Sequence, residues 1–131
     1  MTYLAIALGG ALGSLLRYAL STMIDPRLGS GFPWGTIFAN ITGCVLIGFF
    51  ANLSGPEGSF FGSIESRFFF ITGVCGGYTT FSTFSLEAVS LLKAGDTTRA
   101  IIYIISSVLI CLLGVWLGQH AANLVNSSRT G

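Results

Sequence analysis

Between Phe68 and Leu86 the chain carries no charged residue, a run long enough to cross a bilayer, yet its middle reads Gly73-Val74-Cys75-Gly76-Gly77-Tyr78-Thr79-Thr80-Phe81-Ser82-Thr83-Phe84-Ser85. Two adjacent glycines followed by two threonines depress helix propensity, while the flanking apolar residues keep the segment at membrane depth. Non-helical backbone is tolerated there only where protein or a polar cavity satisfies its N–H and C=O groups. Interrupted spans are one device by which transport proteins turn backbone carbonyls and half-helix ends toward ions. The segment therefore predicts a transmembrane helix broken near its middle and, at the break, a candidate ion site.

The rest of the chain leaves room for little besides spans. Hydrophobic residues make up 52% of it and charged residues 8%, with a mean hydropathy of +0.79, whereas a soluble domain carries about 25% charged residues. A chain of 131 residues holds four spans of about 20 residues each and almost nothing else. The reading is a single all-α domain over residues 1–131, with spans at about 3–24, 33–53, 68–92 and 100–123. Pro33-Trp34 suits the start of the second span, proline for the first turn and tryptophan for the interface. Asp25 to Gly31 reads as a turn cluster, Ser54 to Arg67 as a loop, and Lys93-Ala94-Gly95-Asp96 as a tight polar turn. The N-terminus lacks a basic leader and the first span continues through Arg17, which argues against a cleaved signal peptide. Gly9 and Gly13 sit four apart in that span, a spacing that allows close helix–helix approach.

Charge says little about partners and much about orientation. A net charge of +1 suggests neither nucleic-acid binding nor attraction to an anionic surface. With these spans, Arg67 and Arg129 fall on the side of the termini, Arg27, Lys93 and Arg99 on the other, and Arg17 near that second side. So even a split does not fix topology by the positive-inside rule. It is compatible with insertion both ways and with pairing of two opposed copies, the two-chain analogue of an inverted repeat; one orientation with a slight bias is the plainer alternative.

Several side chains inside the spans are candidates for chemistry. Asn40 shares a helical face with Thr36 and Gly43, and its amide needs a partner in hydrocarbon, either a neighbouring helix or a permeating ion. Tyr103, Ser107 and Cys111 form an i, i+4, i+8 stripe on the fourth span. Phe81 and Phe84 are either packing aromatics or, because ring edges are electropositive, weak anion contacts; Ser82, Thr83 and Ser85 add hydroxyl donors beside them. Donors and ring edges suit an anion, while carbonyls exposed at Gly76 to Thr79 suit a cation. Cys44, Cys75 and Cys111 lie in different spans without zinc or disulfide spacing, and His120 alone is poor material for a metal site or a catalytic base.

Three blocks, Gly9 to Tyr18, Gly35 to Gly43 and Gly73 to Glu87, closely resemble those of the Fluc (CrcB-like) fluoride channels, in order and across essentially the whole chain. The resemblance implies an antiparallel, dual-topology homodimer in the cell inner (plasma) membrane, with two fluoride pores and one structural sodium ion at the two-fold interface. It implies sodium ligation by the backbone carbonyls of Gly76 and Thr79 from both subunits. Phe81 and Phe84 would line the pores, Asn40 would donate to the anion, and Tyr103 and Ser107 would form the hydroxyl stripe. Arg17 would stand near a vestibule. Beside these, Thr36, Ser82, Thr83, Ser85 and Glu87 are candidates for supporting positions from their place in the spans, Glu87 either orienting Tyr103 or other pore hydroxyls or facing the interface. Cys111 replaces a hydroxyl and Tyr78 a leucine found in some relatives. The implied function is passive fluoride efflux, not enzymatic catalysis. Two other classes compete: a small dual-topology proton-coupled exporter, which needs a carboxylate deep in a span, and a purely structural membrane subunit.

Overall fold

The computed structural model describes residues 1–29, 31–53 and 63–130, the side chains of residues 129 and 130 excepted, and every regular element among them is helical. Helix α1, Thr2–Leu28, runs past its expected end, so Asp25 to Leu28 are helical rather than part of a turn. Pro26 is accommodated because it stands in the last turn, where its missing N–H costs one backbone bond. Gly29 then stops the helix at φ 102°, a conformation that favours glycine, and its N–H donates to the Asp25 carbonyl at 3.1 Å. Ser30 lies outside the described residues. The Asp25 side chain meanwhile reaches forward: Oδ1 accepts the Gly35 N–H at 2.7 Å, satisfying a first-turn donor of α2, Trp34–Leu53.

Helix α3, residues 64–78, opens on the Ser63 hydroxyl, which accepts from Ser66 N–H at 3.2 Å. Residues 64–67, expected in a loop, are thus a capped helical turn, and residues 54–62 of that expected loop lie outside the described residues. From Phe68 to Cys75 the turns widen to π-helical geometry before tightening again at Gly76–Tyr78. Thr79 and Thr80 are extended, at ψ 155° and ψ 114°, and α4, Phe81–Lys93, begins beyond them. Gly95 at φ 80° turns the chain as expected, and α5, Thr97–Thr130, starts three residues early and continues past Asn123. Asp96 Oδ1 accepts the Arg99 N–H at 3.2 Å and its carboxylate pairs with the Arg99 guanidinium at 3.3 Å, which anchors that start.

By length and composition α1, α2 and α5 are each long and apolar enough to cross a membrane. They pack through small residues, as helices in lipid do for want of a hydrophobic drive. Where α2 meets α5, a Cβ on Gly114 would stand 3.3 Å from the Ile41 carbonyl and one on Gly118 would stand 2.8 Å from Phe49 N. Where α1 meets α3, a Cβ on Gly13 would come within 2.8 Å of Tyr78 N and one on Gly73 within 2.9 Å of Gly9 Cα. Against these two close crossings α4 lays Phe84 and Ala88 onto Ile37 and Tyr103, with Phe32, Ile41 and Leu91 around them. Large apolar side chains such as Leu15, Leu112 and Leu124 point outward.

Candidate functional site

The two extended residues between α3 and α4 are held by one side chain from α2. Asn40 Oδ1 accepts the Thr80 N–H at 2.7 Å and Asn40 Nδ2 donates to the Thr80 carbonyl at 3.1 Å, so a single amide satisfies both backbone groups of the residue that leaves the helix. Thr80 also caps α4: its Oγ1 accepts from Thr83 N–H at 3.2 Å and donates to Thr83 Oγ1 at 3.0 Å. These bonds redirect the ladder. In a continuing helix Thr80 N–H would go to the Gly76 carbonyl and Thr83 N–H to the Thr79 carbonyl. Both donors are spent elsewhere, which frees the two oxygens singled out in the sequence.

The neighbouring groups divide between bracing and opening. Gly77 keeps its carbonyl in polar company, receiving Arg17 Nε and Ser14 Oγ, each at 3.4 Å; Arg17 therefore stands beside the end of α3. Gly43 lets α2 come close to the break, since a Cβ there would stand 3.1 Å from Tyr78 Cδ1. Gly76 is different. It is exposed, its φ is −65°, and a Cβ added to it would meet nothing within 4 Å. Nothing in its own chain calls for glycine at that position.

Beyond Thr80 four of the five predicted pore residues converge, Tyr103 being the one that does not border the space. Asn40, Phe81, Phe84 and Ser107 border one cavity of about 200 Å³ between α2, α4 and α5, completed by Cys44, Thr80, Val108 and Cys111. The Phe81 and Phe84 rings lie 5.4 Å apart, centroid to centroid, with Phe81 77% exposed and Phe84 in the core. Ser107 is 5% exposed, and its Oγ is buried without a hydrogen-bond partner. An unpaired buried hydroxyl is costly unless something else meets it.

Tyr103 lies one turn away, fully buried, its ring 5.1 Å from Phe84 and 5.5 Å from Phe32. Its Oη donates to Glu87 Oε2 at 2.7 Å, and Thr36 Oγ1 donates to Glu87 Oε1 at 2.9 Å, so the carboxylate ties α2, α4 and α5 together. Ser82, Thr83 and Ser85 are not brought to the cavity wall. Their hydroxyls bond locally, Ser82 with Thr80 at 3.2 Å, Thr83 with Thr80, and Ser85 to the Phe81 carbonyl at 2.8 Å. Thr80 and Phe32 are the residues that sequence reasoning passed over. The N-cap spacing of Thr80 to Thr83 is a readable signal for the first; for the Phe32 edge on Tyr103 there is none.

These features define a class: an all-α, multi-pass membrane protein in which two extended residues between α3 and α4 and a mostly apolar cavity with a few polar groups share one clamp. The family model described as "CrcB-like protein, Camphor Resistance (CrcB)" matches residues 4–119, and the chain belongs to that family. A protein of Rhodospirillum rubrum named fluoride-specific ion channel FluC is 52% identical over 126 residues, 96% of this chain and 98% of that one. Proteins of the same name from Opitutus terrae and Thermus thermophilus are 50% and 48% identical, covering 97% and 90% of this chain and 96% and 91% of their own lengths.

Proposed function

We propose that this protein is a fluoride channel that lets fluoride leave the cell passively across the inner membrane, as an antiparallel homodimer of four-span chains. In this reading α3 and α4 together form the third span, broken at Thr79-Thr80. The observation that carries the proposal is the cavity in which Asn40, Phe81, Phe84 and the unpaired Ser107 hydroxyl meet beside that break. The names of the relatives point the same way.

Fluoride is small and strongly hydrated, so a pore must replace water with close donors without binding too tightly for exit. Ser107 supplies an uncommitted O–H, and the Asn40 amide has a second N–H beyond the one given to Thr80. The phenylalanine edges offer a weaker step between donors. Fluoride that enters as the neutral acid ionises inside, and a passive anion path then drains it.

The Gly76 and Thr79 carbonyls, released from the helix by Asn40 and Thr80, are hard neutral oxygens that suit a sodium ion shared by two chains. Such an ion supplies a fixed positive field for anions in the pores. The open space beside Gly76 supports a partner's approach at that point.

Purified protein in liposomes, loaded with fluoride and then with chloride, tests the reading. Fluoride should escape without a proton gradient and chloride should be retained. Release of both at equal rates, or of fluoride only when a proton gradient is imposed, would overturn it, the latter in favour of a coupled exporter. No release of either would leave a structural subunit.

A further inference from the structure

Two thiols face the same cavity. On α2, Cys44 stands one turn after Asn40, and on α5, Cys111 stands one turn after Ser107; both border the space of about 200 Å³. Gly114 lets the two helices close at this level, since a Cβ on it would stand 3.5 Å from Cys44 Cβ, and Cys111 precedes it by three residues on the same helical face. The two cysteines are free and half-buried, and their side chains are near enough to interact with each other. No carboxylate or imidazole borders the cavity. A pair of soft donors in a space whose only hard oxygens are neutral selects thiophilic metals over magnesium or calcium, which recruit carboxylates.

We propose that Cys44 and Cys111 form a two-thiol binding site for a soft divalent metal ion, of which cadmium and mercury are the type, and that an occupied site closes the cavity. Binding exchanges protons for metal: two S–H bonds break, two sulfur–metal bonds form, and two protons pass to solvent, with no electron transferred. The second thiol acts at high effective concentration once the first has bound, so the pair should bind about a hundredfold more tightly than either thiol alone. Closure of the cavity rests on the fluoride reading above, whereas metal binding does not.

Cadmium ion is the probe. Purified protein in weakly buffered detergent is titrated with Cd(II) while thiolate-to-cadmium charge-transfer absorbance and proton release are recorded, and fluoride release from liposomes is measured over the same range. Two protons should leave per bound cadmium. Half-saturation should move up by about a hundredfold in Cys44→Ser and in Cys111→Ser, and Cys75→Ser should bind like the parent. Release of a single proton, unchanged binding in both single variants, or loss of binding in Cys75→Ser would overturn the site. The proton count is taken on the unmodified protein, so a poorly folding variant does not blunt the test. Tight cadmium binding that leaves fluoride release untouched would overturn the closure. Absence of fluoride release without cadmium would instead defeat the channel reading while the binding data stand.

Discussion

At the scale of single residues, the two phenylalanines of the cavity are separable because the chain buries them unequally. Phe81 is mostly exposed and Phe84 belongs to the core with Tyr103, Ile37 and Ala88. Phe81→Ile should therefore leave thermal stability nearly unchanged, whereas Phe84→Ile should cost about 1–2 kcal/mol. Fluoride release should fall by about tenfold or more in both if ring edges serve the anion. A Phe81→Ile protein that unfolds at the parental temperature and conducts like the parent would remove that residue from the path. Asn40 has two duties that two substitutions separate. Asn40→Ala leaves both Thr80 backbone groups without their partner and should lower stability by about 2 kcal/mol or more. Asn40→Asp keeps an acceptor for the Thr80 N–H while placing a negative charge beside the cavity. It should lose fluoride release more completely than it loses stability, as flux and thermal unfolding measured on the same preparation will show.

At the scale of elements, glycine decides where helices touch. Gly118→Leu drives a branched side chain into the Val45 and Phe49 backbone of α2 and should destabilise the fold by about 1–3 kcal/mol or more. The measurement is the midpoint of thermal unfolding in detergent, and an unchanged midpoint would mean that the α2–α5 crossing is looser than described. Much of this level was readable beforehand. The apolar runs placed α1, α2 and α5 and Gly95 placed its turn, because each is a local property of composition or backbone freedom; the glycine pair Gly76-Gly77, expected to open the chain, is helical, and the non-helical residues are Thr79 and Thr80. What was not readable depends on contacts distant in the chain. The Asp25 side chain at the end of α1 bonds the Gly35 N–H at the start of α2, and the π-helical turns at Phe68–Cys75 have no compositional mark. The site divided the same way. Helical spacing paired Phe81 with Phe84 and Ser107 with Tyr103, while only the family resemblance joined them to Asn40, and Ser82, Thr83 and Ser85 looked equally suitable until their local hydrogen bonds were seen.

At the scale of the whole molecule, Gly76 and the balance of charge both bear on pairing. Gly76→Leu meets open space within one chain and so should fold, yet it should abolish the dimer if a second copy approaches there. Native mass spectrometry from detergent reads the result directly, and a dimer that survives the substitution would place the interface elsewhere. Reporter fusions at the C-terminus should signal from both sides of the membrane, and two lysines added to one set of loops should bias insertion and lower fluoride release. Labelling from one side only, with full activity, would exclude the antiparallel arrangement.

The clamp of Asn40 on Thr80 joins residues forty apart, and that distance sets an order of events during synthesis. Residues 68–93, alone in lipid, have an easier way to satisfy their backbone than to hold two extended threonines: they can wind straight through the gap, each N–H returning to the carbonyl four residues back. Only a helix already standing beside them supplies the amide that makes the open geometry cheaper than the closed one. Because α2 precedes that segment in the chain, a ribosome delivering the protein from its N-terminus presents the template before the part to be shaped. A rearranged gene that encoded the same helices with α2 last would deliver that part first, and the gap would wind shut before its template arrived.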